Sequence, residues 1–165
     1  MTKLAGYAII LAAATLAQGQ QKTPTSAERL GKTFQYVNTK VLTMAKDFPE
    51  AKYDFRLKPE MRSFGEVMVH IASGVVYAAK AGRGEKVKWD ELDAKNYKTK
   101  AEIVALLEKS IADANGALKE NPEGWQKSLE PFLGVTEHSA EHYGLLVAYY
   151  RANGMVPPES RPKGK

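Results

Sequence analysis

An all-α four-helix bundle is what this sequence predicts, and three observations predict it. Four stretches carry apolar residues at the three-and-four spacing of a helix face. Two of them open on a Ser/Thr-x-x-Glu capping box, Ser63-Phe64-Gly65-Glu66 and Thr99-Lys100-Ala101-Glu102. No segment alternates at period two over a useful length, so no sheet is expected. With 165 residues, 44% hydrophobic and 26% charged, the chain suits one domain with a real core.

The first element precedes the fold. Lys3 is followed by LAGYAIILAAATLA, residues 4–17, an apolar run of signal-peptide length and short for a membrane span. Small residues follow at Ala17-Gln18-Gly19, with Thr15-Leu16-Ala17 as a second cleavage option. Residues 1–19 read as a signal peptide and residues 20–165 as the bundle domain. The mature protein is then expected to be exported, periplasmic or secreted, with no stable membrane anchor after cleavage. The chain has no cysteine. That excludes disulfides, thiolate metal sites, a cysteine nucleophile and covalent C-x-x-C-H haem attachment.

Ser26 stands where the first helix needs an N-cap, and Leu30, Phe34, Val37, Val41, Leu42, Ala45 and Phe48 form its face before Pro49 stops it. Residues 49–62 are an irregular connection. The second helix starts at Ser63, buries Phe64, Val67, Met68, Ile71, Val75 and Ala79, and closes at Gly82 and Gly84. Gly74 lies one turn beyond His70, where it costs about 1 kcal/mol of helix stability against alanine; the gap it leaves beside His70 is a possible return. Residues 83–98 form a long loop with Trp89 and Tyr97. The third helix carries Ile103, Leu106, Leu107, Ile111, Ala114 and Leu118 up to Asn121-Pro122. Trp125 and Pro131 are read into another loop. The fourth helix is expected to start near Val135 or Thr136 and to end at Gly154, with Pro157-Pro158 beyond. The two long later connections leave room for a topology other than up-down-up-down.

The net charge is +5, and the basic residues are scattered except for Lys86, Lys88, Lys95, Lys98 and Lys100 around one loop. A solvated loop accounts for that group. No base-reading motif accompanies it, so no nucleic-acid partner is expected.

The chemistry concentrates in the three histidines. His138 and His142 are spaced i, i+4, so both imidazoles leave one face of the fourth helix, a face that continues through Leu145 and Tyr149 into the core. His70 lies on the flank of the second helix's apolar face. Three imidazoles from facing helices suit a divalent metal, and three protein ligands leave a coordination position for water or substrate. Three hydrogen-bonded core histidines are the competing reading. A b-type haem with His70 and one of the other two as axial ligands is a third. His138-Ser139-Ala140-Glu141-His142 also spells H-x-x-E-H, the inverted zinc-protease motif. That motif needs a further acidic ligand well downstream, and little chain follows. Glu141 and Glu66 are candidates to orient a ligand, although a solvated flank and a helix cap account for them. Arg151 points away from His142 around the helix.

These segments resemble the DinB-like family, bacterial four-helix bundles with a three-histidine metal site. The resemblance rests on RSFGEVMVHIA at residues 62–72 and on EHSAEHYGLLVAYYRANGMVPP at residues 137–158: one histidine on the second helix, H-x-x-x-H on the fourth, then Tyr-Arg-x-x-Gly-x-x-Pro-Pro. It extends over roughly residues 25–160. It implies that His70, His138 and His142 are the ligands, with zinc or nickel foremost as the cofactor. It also implies a metal-dependent hydrolase or transferase acting on an unidentified small-molecule substrate, the alternative being a non-catalytic metal or small-ligand binding module. Some relatives resemble thiol-dependent transferases of the cytoplasm, and export would separate this chain from such thiols. Pairing into a homodimer is left open.

Overall fold

The computed structural model describes residues 23–120 and 125–162. Four helices carry it: α1 (Ser26–Asp47), α2 (Phe64–Gly82), α3 (Lys100–Glu120) and α4 (Trp125–Ala152). Among the described residues there is no strand, only one isolated bridge between Arg56 and Ser63. The expected signal peptide, residues 1–19, and the expected Asn121-Pro122 stop lie outside the described residues.

Capping fixes the helix starts. Ser63 and Thr99 form the expected boxes with Glu66 and Glu102. The first helix is capped one residue earlier than expected, by Thr25. Its hydroxyl accepts from the Glu28 N–H, and Glu28 returns the bond to the Thr25 N–H. Ser26 is therefore the first helical residue, because only Thr25 has a glutamate three positions on. Two glycines finish helices by taking positive φ, Gly84 at 82° after α2 and Gly154 at 69° after α4. In both places the N–H of the next residue folds back onto a carbonyl of the last turn (Glu85 to Lys80, Met155 to Tyr150).

At one end of the bundle Phe48, closing α1, stacks on Phe64, opening α2, with ring centroids 3.8 Å apart. Tyr149 and Tyr150, near the end of α4, pack on the same pair. The Lys100 ammonium at the start of α3 donates to the Lys46 and Phe48 carbonyls, satisfying the end of α1. Lys100 is thus a helix cap in trans rather than part of a solvated lysine loop. At the other end Phe34 of α1 meets Phe132 of α4 edge-on, and Phe132 and Ala117 of α3 close on Gly82 of α2. A Cβ on Gly82 would stand 2.9 Å from the Phe132 ring, so that crossing needs glycine.

It follows that α1 and α4 run one way and α2 and α3 the other. Helix α2 packs on α3 and α4, and α1 on α4 and α3, so α1 and α2 face each other diagonally. Because α2 and α3 are parallel, residues 83–99 must return along the whole bundle. That crossover positions the site.

The start of α4 corrects the sequence reading. The helix begins at Trp125, not near Val135, and runs through Pro131 and Gly134. Proline cannot donate to the carbonyl one turn back and glycine weakens a helix, so local propensity argues for a loop. Burial overrides it: Phe132, Val135 and Thr136 are all buried, and Phe132 fills the Phe34–Gly82 corner. The connection between α3 and α4 is accordingly short, residues 121–124.

Candidate metal centre

Helix α2 presents His70 between a capped N-terminus and its buried middle. Helix α4, packed antiparallel against it, presents His138 and His142 one turn apart. The ring centroids of His138 and His142 are 4.3 Å apart, and His70 lies 4.8 Å from each. Candidate ligand atoms of all three fall within 4.8 Å of one another. The sequence-predicted triad is therefore brought together.

Hydrogen bonding orients the rings. Nδ1 of His70 lies 3.0 Å from Oε1 of Glu91, and a carboxylate can only accept, so His70 carries its proton on Nδ1. Its Nε2 is then a lone pair, 2.9 Å from Nε2 of His138. Without a cation between them, His138 must donate from Nε2, which leaves its Nδ1 an acceptor. That atom is buried and has no partner. Glu91 is itself held by Arg62, whose Nη2 lies 3.1 Å from both carboxylate oxygens.

The surroundings keep the two imidazoles of α4 neutral. Burial, then the neighbouring His142 and His70, pull the pKa of His138 down to about 4. Burial, then His70 and Arg62, lower that of His142. Their lone pairs are available to a cation at neutral pH. The residues fit a metal ion: the two Nε2 atoms are closer than twice a metal–nitrogen bond of about 2.0–2.1 Å. A carboxylate backs one ligand in the manner of metal-binding histidines. The same 2.9 Å approach leaves no room for a porphyrin plane between His70 and His138.

The crossover supplies what sequence reasoning missed. The Leu92 N–H donates to Ser73 Oγ at 3.0 Å and pins the segment against α2. Trp89 then lies 5.4 Å from His138 and 6.1 Å from His70, ring to ring. Gly74 makes this possible. A Cβ there would meet Trp89 at 3.0 Å and His138 Nδ1 at 3.3 Å, so the gap serves those two residues rather than His70. Glu66 does not reach His70. It caps Ser63 and pairs with Arg56 at 2.7 Å. Glu141 and Arg151 are exposed. Two clefts flank the histidines. One, about 510 Å³, borders His138 beside Trp89; the other, about 450 Å³, borders His142 between Arg62 and Tyr149.

Among the described residues no helix is long and apolar enough to cross a membrane. Residues 33–150 match the DinB superfamily, most of the chain, and the chain belongs to that superfamily. No curated protein matches it.

Proposed function

We propose that this DinB superfamily member is an exported metal-dependent enzyme, a hydrolase or transferase for a small-molecule substrate. His70, His138 and His142 would hold the ion, zinc or nickel foremost. The convergence of three imidazoles beside two clefts carries the reading. Such an ion polarises a substrate oxygen or lowers the pKa of water to about 7. The chain's own residues prepare the site. Glu91 keeps the His70 proton on Nδ1 and leaves Nε2 bare, Arg62 holds Glu91 in place, and Trp89 shields the His138 edge from water.

Export rests on the apolar run at residues 4–17 and the small residues after it. It disfavours a cytoplasmic thiol as co-substrate. N-terminal sequencing of the protein recovered outside the cytoplasm would start near Gln20 if this is right; a chain retained whole in the cytoplasm refutes it.

A second reading, a non-catalytic metal-binding module, draws on one observation. Glu91, the carboxylate bonded to the triad, is already engaged by Arg62 and is not a free general base. Elemental analysis of residues 20–165, purified without chelator or tag, comes first, beside His142→Ala. About one divalent ion per chain, lost in the variant, supports the site; no metal in either, even with excess zinc or nickel, sinks it. X-ray absorption then separates the two readings: water on the ion with turnover of ester or amide substrates supports an enzyme, and a closed, non-exchanging ion without turnover supports the binding module.

A further inference from the structure

The cleft against His138 differs in kind from the one against His142. It is walled by Tyr77 of α2, Trp89 of the crossover, and Pro131, Gly134 and Val135 of α4, and it ends on His138 itself. Its only charged wall residue among those described is Glu130, at the rim. Trp89 is 44% exposed, so a large apolar ring faces this opening from a loop otherwise rich in lysine and acidic residues. The volume, about 510 Å³, lies within the range of small-molecule sites.

Gly134 is informative because, among the described residues, nothing packs on it. A Cβ there would meet no heavy atom within 4 Å, whereas Gly74 and Gly82 in the same bundle are each pressed by a neighbour. A larger residue at 134 would favour the helix and would be tolerated by the packing. What glycine provides at this position is space over the wall beside Val135 and His138.

We infer that this cleft seats a flat, neutral apolar group of the substrate, an aromatic ring or its equivalent, while the polar end of the same molecule reaches the three-histidine centre. The inference rests on the metal-site reading and adds the substrate class to it. Tyr77 and Trp89, whose rings are 5.9 Å apart, supply the aromatic surfaces, and Pro131 supplies an apolar one. Glu130 at the rim opposes an anionic body.

The test uses two hydroxamates that share a metal-binding head and differ in the body, acetohydroxamate and benzohydroxamate. Affinities for zinc-loaded wild type and Gly134→Leu are measured by calorimetry, with bound zinc quantified in each. The expected result is a preference of about tenfold or more for the phenyl compound in wild type, from burial of the ring. In Gly134→Leu that preference should shrink to within about twofold, with zinc content and acetohydroxamate affinity retained. Zinc bound but no phenyl preference in wild type, or the same preference in Gly134→Leu, overturns the inference and leaves the metal site standing. No zinc and no binding of either compound overturns the metal reading and this inference with it.

Discussion

The aromatic end of the bundle and the histidine centre share two helices, α2 and α4, with opposite bookkeeping of polar groups. At the aromatic end three buried tyrosine hydroxyls each have a carbonyl. The Tyr53 O–H donates to Ala45, that of Tyr149 to Arg62, and that of Tyr150 to Met44 at 2.9 Å with Asp47 at 3.1 Å. Burial raises the pKa of all three phenols and keeps them donors. Half a bundle away, the described residues leave three buried side-chain atoms unpartnered, Asn38 Oδ1, His138 Nδ1 and Ser139 Oγ. Two of the three are consecutive residues of α4, at the histidine cluster. An unmet polar group inside a protein costs about 1–3 kcal/mol. The first region is organised for stability and the second is held in a less stable arrangement by it.

The largest expected effect tests the stabilising half. Phe64 touches Phe48, Tyr53, Tyr149 and Tyr150 and is fully buried. Phe64→Ala should cost about 3–5 kcal/mol in urea unfolding of the metal-free protein. A loss below about 1 kcal/mol would mean that the stack is not where the stability lies.

Next comes a contact that belongs to the other half. Glu91→Gln keeps the size of the side chain and removes the charge that holds the His70 Nδ1 proton and the Arg62 guanidinium. Zinc affinity measured by competition with a chelator should fall about 10- to 100-fold, with unfolding in chelator nearly unchanged. Unchanged affinity would reduce Glu91 to a surface tie for the crossover.

The comparison also explains which parts were legible in the sequence. Residues whose partners are local were readable: the Ser63–Glu66 and Thr99–Glu102 caps, the glycine stops, and the i, i+4 pair of His138 and His142 on one face. The third histidine of the cluster, His70, could be named from residue type and face, although its meeting with His138 is a matter of helix packing. The start of α4 was hidden because Pro131 and Gly134 speak against a helix, and only burial of Phe132 and Val135 across the bundle answers them. Glu91 and Trp89 were hidden for a different reason. They reach the histidines because α2 and α3 are parallel, and nothing in residues 83–99 encodes the path their crossover takes over the bundle.

A smaller effect, opposite in sign, separates the two halves directly. Replacing His138 with leucine removes a buried nitrogen without a partner, at the loss of the single bond its Nε2 makes to His70. In chelator, His138→Leu should be more stable than wild type by about 1 kcal/mol, while zinc binding is lost. If the variant is instead destabilised by more than about 1 kcal/mol, His138 is an ordinary packing residue, and the contrast between the two regions fails.

The smallest effect lies at the rim of the aromatic end and depends on pH. The Arg161 guanidinium, bonded to both Asp47 oxygens, holds that carboxyl below its ordinary value; partial burial opposes this and the Tyr150 hydroxyl adds to it. The folded pKa is depressed, so the contribution is fully present above the unfolded value near about 4 and is lost as pH falls through the folded one. Wild type should therefore exceed Asp47→Asn in stability at about pH 6 and converge with it as pH falls through the folded pKa. The convergence matters more than the size, because removal of packing would persist at every pH. A gap between the two proteins that stays constant with pH would show that Asp47 acts as a spacer under Tyr150, and that even this edge of the aromatic region is held by shape rather than by charge.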